Sequence, residues 1–239
     1  MFRFLNTSGC YSLSKRFQTA MELVLGGLLL LIAGQLLPNL MAEPINWTVA
    51  LGLYIVIASL VVIYWPQGAL GWANRVTLVR AVLVALVAGG LAAGAFEPVI
   101  WQWLLIAVLA LLLDGVDGWV ARRTQSHSAF GARFDMELDA LLIMLLCVGL
   151  LLESMGPWVL LIGGMRYLFV IAGCWFTWLK APLPLSLRRK IVCVWQVSAL
   201  LLALTPLTSH VLTGLLAISA LLSLVMSFGA DVKWLYQQT

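Results

Sequence analysis

Apolar residues along this chain come in long unbroken runs, and the short polar stretches between them carry most of the charge. The runs fall at about 21–40, 47–65, 76–96, 98–121, 134–153, 157–179, 190–206 and 209–229. Most reach the 18 or more residues with which a helix crosses a hydrocarbon core of roughly 30 Å. None alternates with the period of two that a membrane barrel needs, and backbone in lipid must pair within its own segment. The pattern predicts an all-α fold, a polytopic membrane helical bundle of eight spans.

The charges orient those spans. Arg3, Lys15 and Arg16 precede the first, and Arg75 lies between the second and third. Arg122, Arg123 and Arg133 follow the fourth; Lys180, Arg188, Arg189 and Lys190 follow the sixth; Lys233 lies near the end. The alternate loops hold Glu43, Glu97 and Glu153 and no Lys or Arg. Such segregation is the positive-inside signature and predicts that both termini are cytoplasmic.

Composition agrees, at 63% hydrophobic, 10% charged and a mean hydropathy of +1.03 over 239 residues. Those values exclude a soluble globular domain. The net charge of +4 is first a topological device, and second an attraction for anionic headgroups or phosphorylated solutes. No basic stripe is interleaved with aromatics, so no nucleic-acid partner is expected. Cys10, Cys147, Cys174 and Cys193 are scattered without paired spacing and read as small hydrophobes.

Residues 1–20, with spaced aromatics and three basic side chains, predict a cytoplasmic or interfacial segment lying on the membrane. A signal peptide is not expected, because no small-x-small cleavage site stands near Ala42. Residues 21–66 then form two transmembrane helices, and the loop from Pro66 to Gly71 separates them from a core at 72–230. Trp47, Trp65, Trp72, Trp101, Trp103, Trp158, Trp178 and Trp234 lie near span ends and predict an interfacial belt. Small residues from Ala88 to Ala95 predict close helix packing.

Against this background four aspartates stand out. Asp114 and Asp117 are i, i+3 on one helix face, which Ala121 continues; Asp135 and Asp139 are i, i+4 on the next helix. Arg122 and Arg133 mark where the two helices meet the interface. Asp114 lies about 12 Å inward from Arg122, and Asp139 about 9 Å inward from Arg133, at the usual helical rise. The four carboxylates therefore reach similar depths. A carboxylate at a bilayer centre costs on the order of 2.5–3.5 kcal/mol, so intramembrane acids are functional by default. Oxygen-only ligands of this kind suit Mg²⁺ or Mn²⁺. Gly118 and Gly131 leave room for a ligand to approach the backbone.

The run Asp-x-x-Asp-Gly-x-x-Ala-Arg-x8-Gly-x3-Asp-x3-Asp, met by Asp114, Asp117, Gly118, Ala121, Arg122, Gly131, Asp135 and Asp139, resembles the signature of the CDP-alcohol phosphotransferase (CDP-alcohol phosphatidyltransferase) family. The resemblance implies a six-helix core, with the first two spans outside it. It implies transfer of a phosphatidyl or other substituted phosphoryl group from a CDP-linked donor, here CDP-diacylglycerol, to an alcohol, with release of CMP. It implies that Asp114, Asp117 and Asp135 ligate metal, and that Asp139 reaches a second ion and acts as general base. Gly118, Ala121, Arg122, Ser128 and Gly131 match donor-binding positions. Asn74, Thr77 and Arg80 resemble the family's upstream Asn-x-x-Thr-x-x-Arg element at the nucleotide, with Ala73 where a proline is usual. A homodimer is also implied.

Arg166, near the middle of its span, should face the bundle interior and meet an anion. One reading is a salt bridge to a motif aspartate or Glu137; the other is a phosphate clamp for the acceptor, helped by Arg188, Arg189 and Lys190. The second favours glycerol 3-phosphate or another phosphorylated polyol. Lys190 to Gln196 resembles a family element in which Cys193 replaces a threonine. The rival function is an ion- or proton-coupled transporter that uses the aspartates as a relay, which leaves Gly118, Arg122 and Gly131 unexplained. The expected setting is a bacterial inner membrane, with the site cytoplasmic.

Overall fold

The computed structural model describes residues 8–65, 70–94, 97–124, 129–176 and 186–237, with side chains for all of these except 8–16, 97, 117–122, 124, 129, 174 and 190. The described residues form eight α-helices: α1 (Ser8–Gln35), α2 (Pro44–Tyr64), α3 (Gly71–Ala92), α4 (Ile100–Thr124), α5 (Ala129–Leu152), α6 (Leu160–Trp175), α7 (Leu187–Ala203) and α8 (His210–Tyr236). Each coincides with one of the expected spans, give or take its ends.

Local chemistry sets several of those ends. Pro44 occupies the first turn of α2, where its missing N–H costs nothing. The Ser209 hydroxyl accepts from the Leu212 N–H at 3.4 Å and caps α8. At the N-terminus the helix begins earlier than the first hydrophobic run. Residues 8–20 of the expected interfacial segment continue without a break into α1. No proline interrupts Ser8 to Gln35, so nothing in this stretch forces the helix to start later.

The chain divides into two compact units, Met1–Leu138 and Asp139–Thr239, and the division falls inside the continuous helix α5. In the first unit α3 is central, packed against α1, α2 and α4. Its apolar stretch is 72% buried, against 22% for that of α2, so α3 lies within protein while most of α2 faces outward. Small residues make this close packing possible. A Cβ on Gly89 would come within 2.7 Å of the Asn46 carbonyl, and one on Gly90 within 2.6 Å of Leu40 and 2.9 Å of Trp103. The expected small-residue packing surface is therefore present.

Two of the tryptophans expected in an interfacial belt serve the core instead. Trp103 is fully buried and donates its indole N–H to the Val87 carbonyl at 2.8 Å. Trp65 is also buried, with its ring 5.3 Å from that of Phe130. Proximity to a span end does not reveal which way a side chain faces.

In the second unit α8 packs on α7 and α6. Phe169 and Phe228 meet edge-on at 5.4 Å, and Gln196 of α7 donates to the Ile162 carbonyl of α6 at 3.4 Å. A Cβ on Gly163 would fall 2.8 Å from the Met144 backbone, so α5 and α6 approach closely there. Cys147 is buried and Cys193 exposed.

Large apolar side chains stay exposed along α1 (Leu25, Ile32), α2 (Ile55, Val62, Ile63) and α8 (Leu215, Leu222, Met226). Faces of that size do not persist in water and mark contact with lipid. Among the described residues, four helices are long and apolar enough to cross a membrane by themselves: 17–35 within α1, α2, α3 and α8. The molecule is a polytopic helical membrane protein.

Candidate functional site

The upstream element on α3 is the best buried part of the site. Asn74, Thr77 and Arg80 are 3%, 3% and 1% exposed, and they share one side of α3 because they recur at i, i+3 and i+6. Asn74 Nδ2 donates to the Leu70 carbonyl at 2.7 Å, and Thr77 Oγ1 to the Ala73 carbonyl at 3.1 Å.

Arg80 reaches furthest. Its Nε donates to the Ala110 carbonyl on α4 at 3.2 Å, and its Nη1 stands 3.1 Å from Asp114 Oδ1. The same Nη1 donates to Asp135 Oδ1 on α5. One guanidinium thus ties α3 to both helices that carry the acidic motif. A buried arginine is stable only with such partners, because its desolvation is expensive. Sequence placed Arg80 at the nucleotide; the structure brings its guanidinium onto the carboxylates.

Asp139 lies one helical turn beyond Asp135 on the unbroken α5, which crosses the division between the two units. Asp114, Asp135 and Asp139 each present a carboxylate oxygen within 4.8 Å of the others, and all three side chains are half-buried. At an effective dielectric of 20, two unit charges at that separation repel by about 3 kcal/mol. Arg80 offsets part of this repulsion. Two oxygens on one Mg²⁺ at its usual bond length can be no more than about 4.2 Å apart, so small rotations of these side chains would close the set around an ion. Three hard oxygen donors converging in a half-buried setting fit a divalent cation of the Mg²⁺ type.

Gly131 lies one turn before Asp135 on α5 and is half-buried, while Glu137 is exposed on another face. The backbone of α4 includes Asp117, Gly118, Ala121 and Arg122, but their side chains lie outside the described residues. Ser128 lies outside them altogether, and so does the Lys190 side chain.

In the second unit Arg166 is half-buried on α6. Arg188 pairs with Asp231 of α8, and Arg189 Nε stands 4.0 Å from the other oxygen of the same carboxylate. Neither Asp231 nor Glu22, which binds Arg75 at 2.6 Å, was singled out from sequence. The signal was available for both. Each is a lone acid in or beside an apolar run, and the expense of such a group in lipid implies a cationic partner.

A sequence model of the family described as CDP-alcohol phosphatidyltransferase matches residues 70–227, about two thirds of the chain. No curated protein and no solved structure matches. The match contains α4 and α5 with the whole acidic motif, together with the Asn74, Thr77 and Arg80 side of α3. By this match the chain belongs to the CDP-alcohol phosphatidyltransferase family and is a transferase of phospholipid synthesis.

Proposed function

We propose that this protein transfers the phosphatidyl group of CDP-diacylglycerol to a small alcohol and releases CMP, with glycerol 3-phosphate or another phosphorylated polyol as the acceptor. The observation that carries this reading is the convergence of Asp114, Asp135 and Asp139 around one point, within the span of the family match.

Asp114, Asp117 and Asp135 would hold one divalent ion, and Asp139 would reach a second. An ion of the Mg²⁺ or Mn²⁺ type held there would supply neutralisation of the charge on the donor pyrophosphate and on the departing CMP. Asp139 accepts the proton of the acceptor hydroxyl as its oxygen attacks the phosphatidyl phosphorus. The bond from that phosphorus to the CMP oxygen breaks, and CMP leaves with the electron pair. Arg80 holds Asp114 and Asp135 in orientation through its contacts with one oxygen of each, the role such partners have around metal ligands generally. Asn74, Thr77, Gly118, Ala121, Arg122, Ser128 and Gly131 contact the donor. Arg166, Arg188, Arg189 and Lys190 receive the acceptor's phosphate. The site opens to the cytoplasmic face of a bacterial inner membrane, and the protein works as a homodimer.

The test is CMP release from labelled CDP-diacylglycerol by the purified protein in detergent, with a panel of alcohols and with EDTA. Metal-dependent CMP release that requires one acceptor supports the reading and names the acceptor. A transporter using the same acids would release none.

A further inference from the structure

The family match starts at residue 70, so α1 and α2 lie outside it. An acidic side chain of α1 nevertheless reaches the first turn of α3. Glu22 Oε1 accepts from Arg75 Nε at 3.0 Å and Nη2 at 2.6 Å, and Oε2 accepts from the Leu70 backbone N–H at 2.9 Å. The Glu22 side chain is only 10% exposed. A carboxylate buried in an apolar helix is costly unless its oxygens are partnered, and here both are committed to the start of α3.

The start of α3 needs what Glu22 supplies. Leu70 is the N-cap and offers no side-chain acceptor, although the first N–H groups of any helix lack intrahelical partners. Gly71 follows with φ +74°, a left-handed turn that glycine makes without strain. The chain therefore enters α3 through a sharp bend that its own sequence leaves uncapped. Leu70 passes the restraint on, since its carbonyl accepts from the buried Asn74 amide. Arg75 lies over the Trp72 ring at 4.9 Å.

Glu22 is itself held in place. The Tyr54 hydroxyl of α2 donates to the Leu23 carbonyl at 2.6 Å, and a Cβ on Gly26 would collide with that hydroxyl at 2.2 Å. Trp65, just past α2, packs on Phe130, which stacks on Phe134 at 5.7 Å beside Asp135. The N-terminal segment thus touches α3 through Glu22 and α5 through Trp65.

We infer that Glu22 is a positioning residue for donor binding: by gripping Leu70 and Arg75 it sets the start of α3 and, through Leu70, the Asn74 amide. The inference rests on the proposed reading of α3 as the donor side of the site. The acceptor oxygen offered to Leu70 matters more than the charge offered to Arg75, which is 43% exposed and can be hydrated.

The experiment measures kcat, both KM values and amide exchange on the purified full chain. Glu22→Leu keeps an apolar helix but removes the acceptor, and should raise the donor KM about tenfold or more with the acceptor KM unchanged, as loss of a hydrogen bond to a charged group implies. Glu22→Gln retains an acceptor oxygen and should raise the donor KM only about threefold, in keeping with the weaker bond made by a neutral acceptor. The exchanged pair Glu22→Arg with Arg75→Glu restores an ion pair but no acceptor for Leu70, so it should be as impaired as Glu22→Leu. Exchange at amides 70–74 should quicken in Glu22→Leu and in the exchanged pair. An unchanged donor KM, rescue by the exchanged pair, or a uniform loss of kcat alone overturns the inference. If Glu22→Leu does not fold, unchanged exchange at 70–74 in Glu22→Gln overturns it instead. A wild-type protein that releases no CMP defeats the proposed function, while the exchange data still judge the contact.

Discussion

Two acid–arginine clusters, one in each unit, are built with opposite burial. Around Arg80 the guanidinium is 1% exposed, while the side chains of Asp114 and Asp135 are each 34% exposed. Around Asp231 the carboxylate is 12% exposed, while Arg188 and Arg189 are 42% and 32% exposed. The partner locked in protein is the counter-charge, and the partner left accessible is the one with capacity for a ligand. The first cluster therefore presents oxygens and suits a cation, whereas the second presents guanidinium N–H groups and suits an anion. The asymmetry follows from cost. Burying both partners of a pair desolvates two charges, and the mutual attraction seldom recovers the whole penalty.

The comparison can be broken most decisively at the first cluster. Asp135→Asn should lower turnover by at least about a thousandfold, since a metal contributes several kcal/mol of charge stabilisation and each 1.36 kcal/mol is a factor of ten. The protein should remain folded and lose Mn²⁺ binding, read by titration; retained activity would remove Asp135 from the ligand set. Arg80→Ala should cost about 1–3 kcal/mol of stability, the usual range for losing a hydrogen bond to a charged group, seen as a lower unfolding temperature in detergent. Arg80→Lys should recover only part, because an ammonium lacks the fork that reaches Ala110 and both carboxylates together.

The arginines of the second unit should respond differently. Arg166→Ala should raise the acceptor KM about tenfold while leaving the donor KM nearly unchanged, since one charge-assisted hydrogen bond is worth roughly 1.5–3 kcal/mol. A selective loss of donor binding instead would transfer Arg166 to the nucleotide. The smallest effect is expected for Asp231→Asn. The Arg188 side of that pair is largely solvated, so stability should fall by no more than about 1 kcal/mol after screening. If Arg188 receives the acceptor phosphate, freeing it should lower the acceptor KM; an unchanged KM would make the pair purely structural.

How much of this could be read in advance varies by residue. The eight helices were legible because hydrophobic runs of membrane length admit no other paired backbone. The motif was legible because Asp135 and Asp139 share a face by periodicity alone, and Asp114 joins them in the structure. Trp103 departs from the expected belt because nearness to a span end says nothing about rotation; its ring packs against Gly90 and its indole N–H meets the Val87 carbonyl. Glu22 escaped notice because its partners lie 48 and 53 residues away.

The chain's order of residues determined the helices, their membrane setting and the spacing of the acids, since each depends on neighbours within a few turns. Tertiary structure alone decided which arginine answers which acid. Arg80 and Asp135 are separated by 55 residues, and Arg188 and Asp231 by 43. Such pairings depend on the rotation and approach of whole helices, which small residues such as Gly89 and Gly90 permit and many summed contacts select. No local pattern encodes that sum.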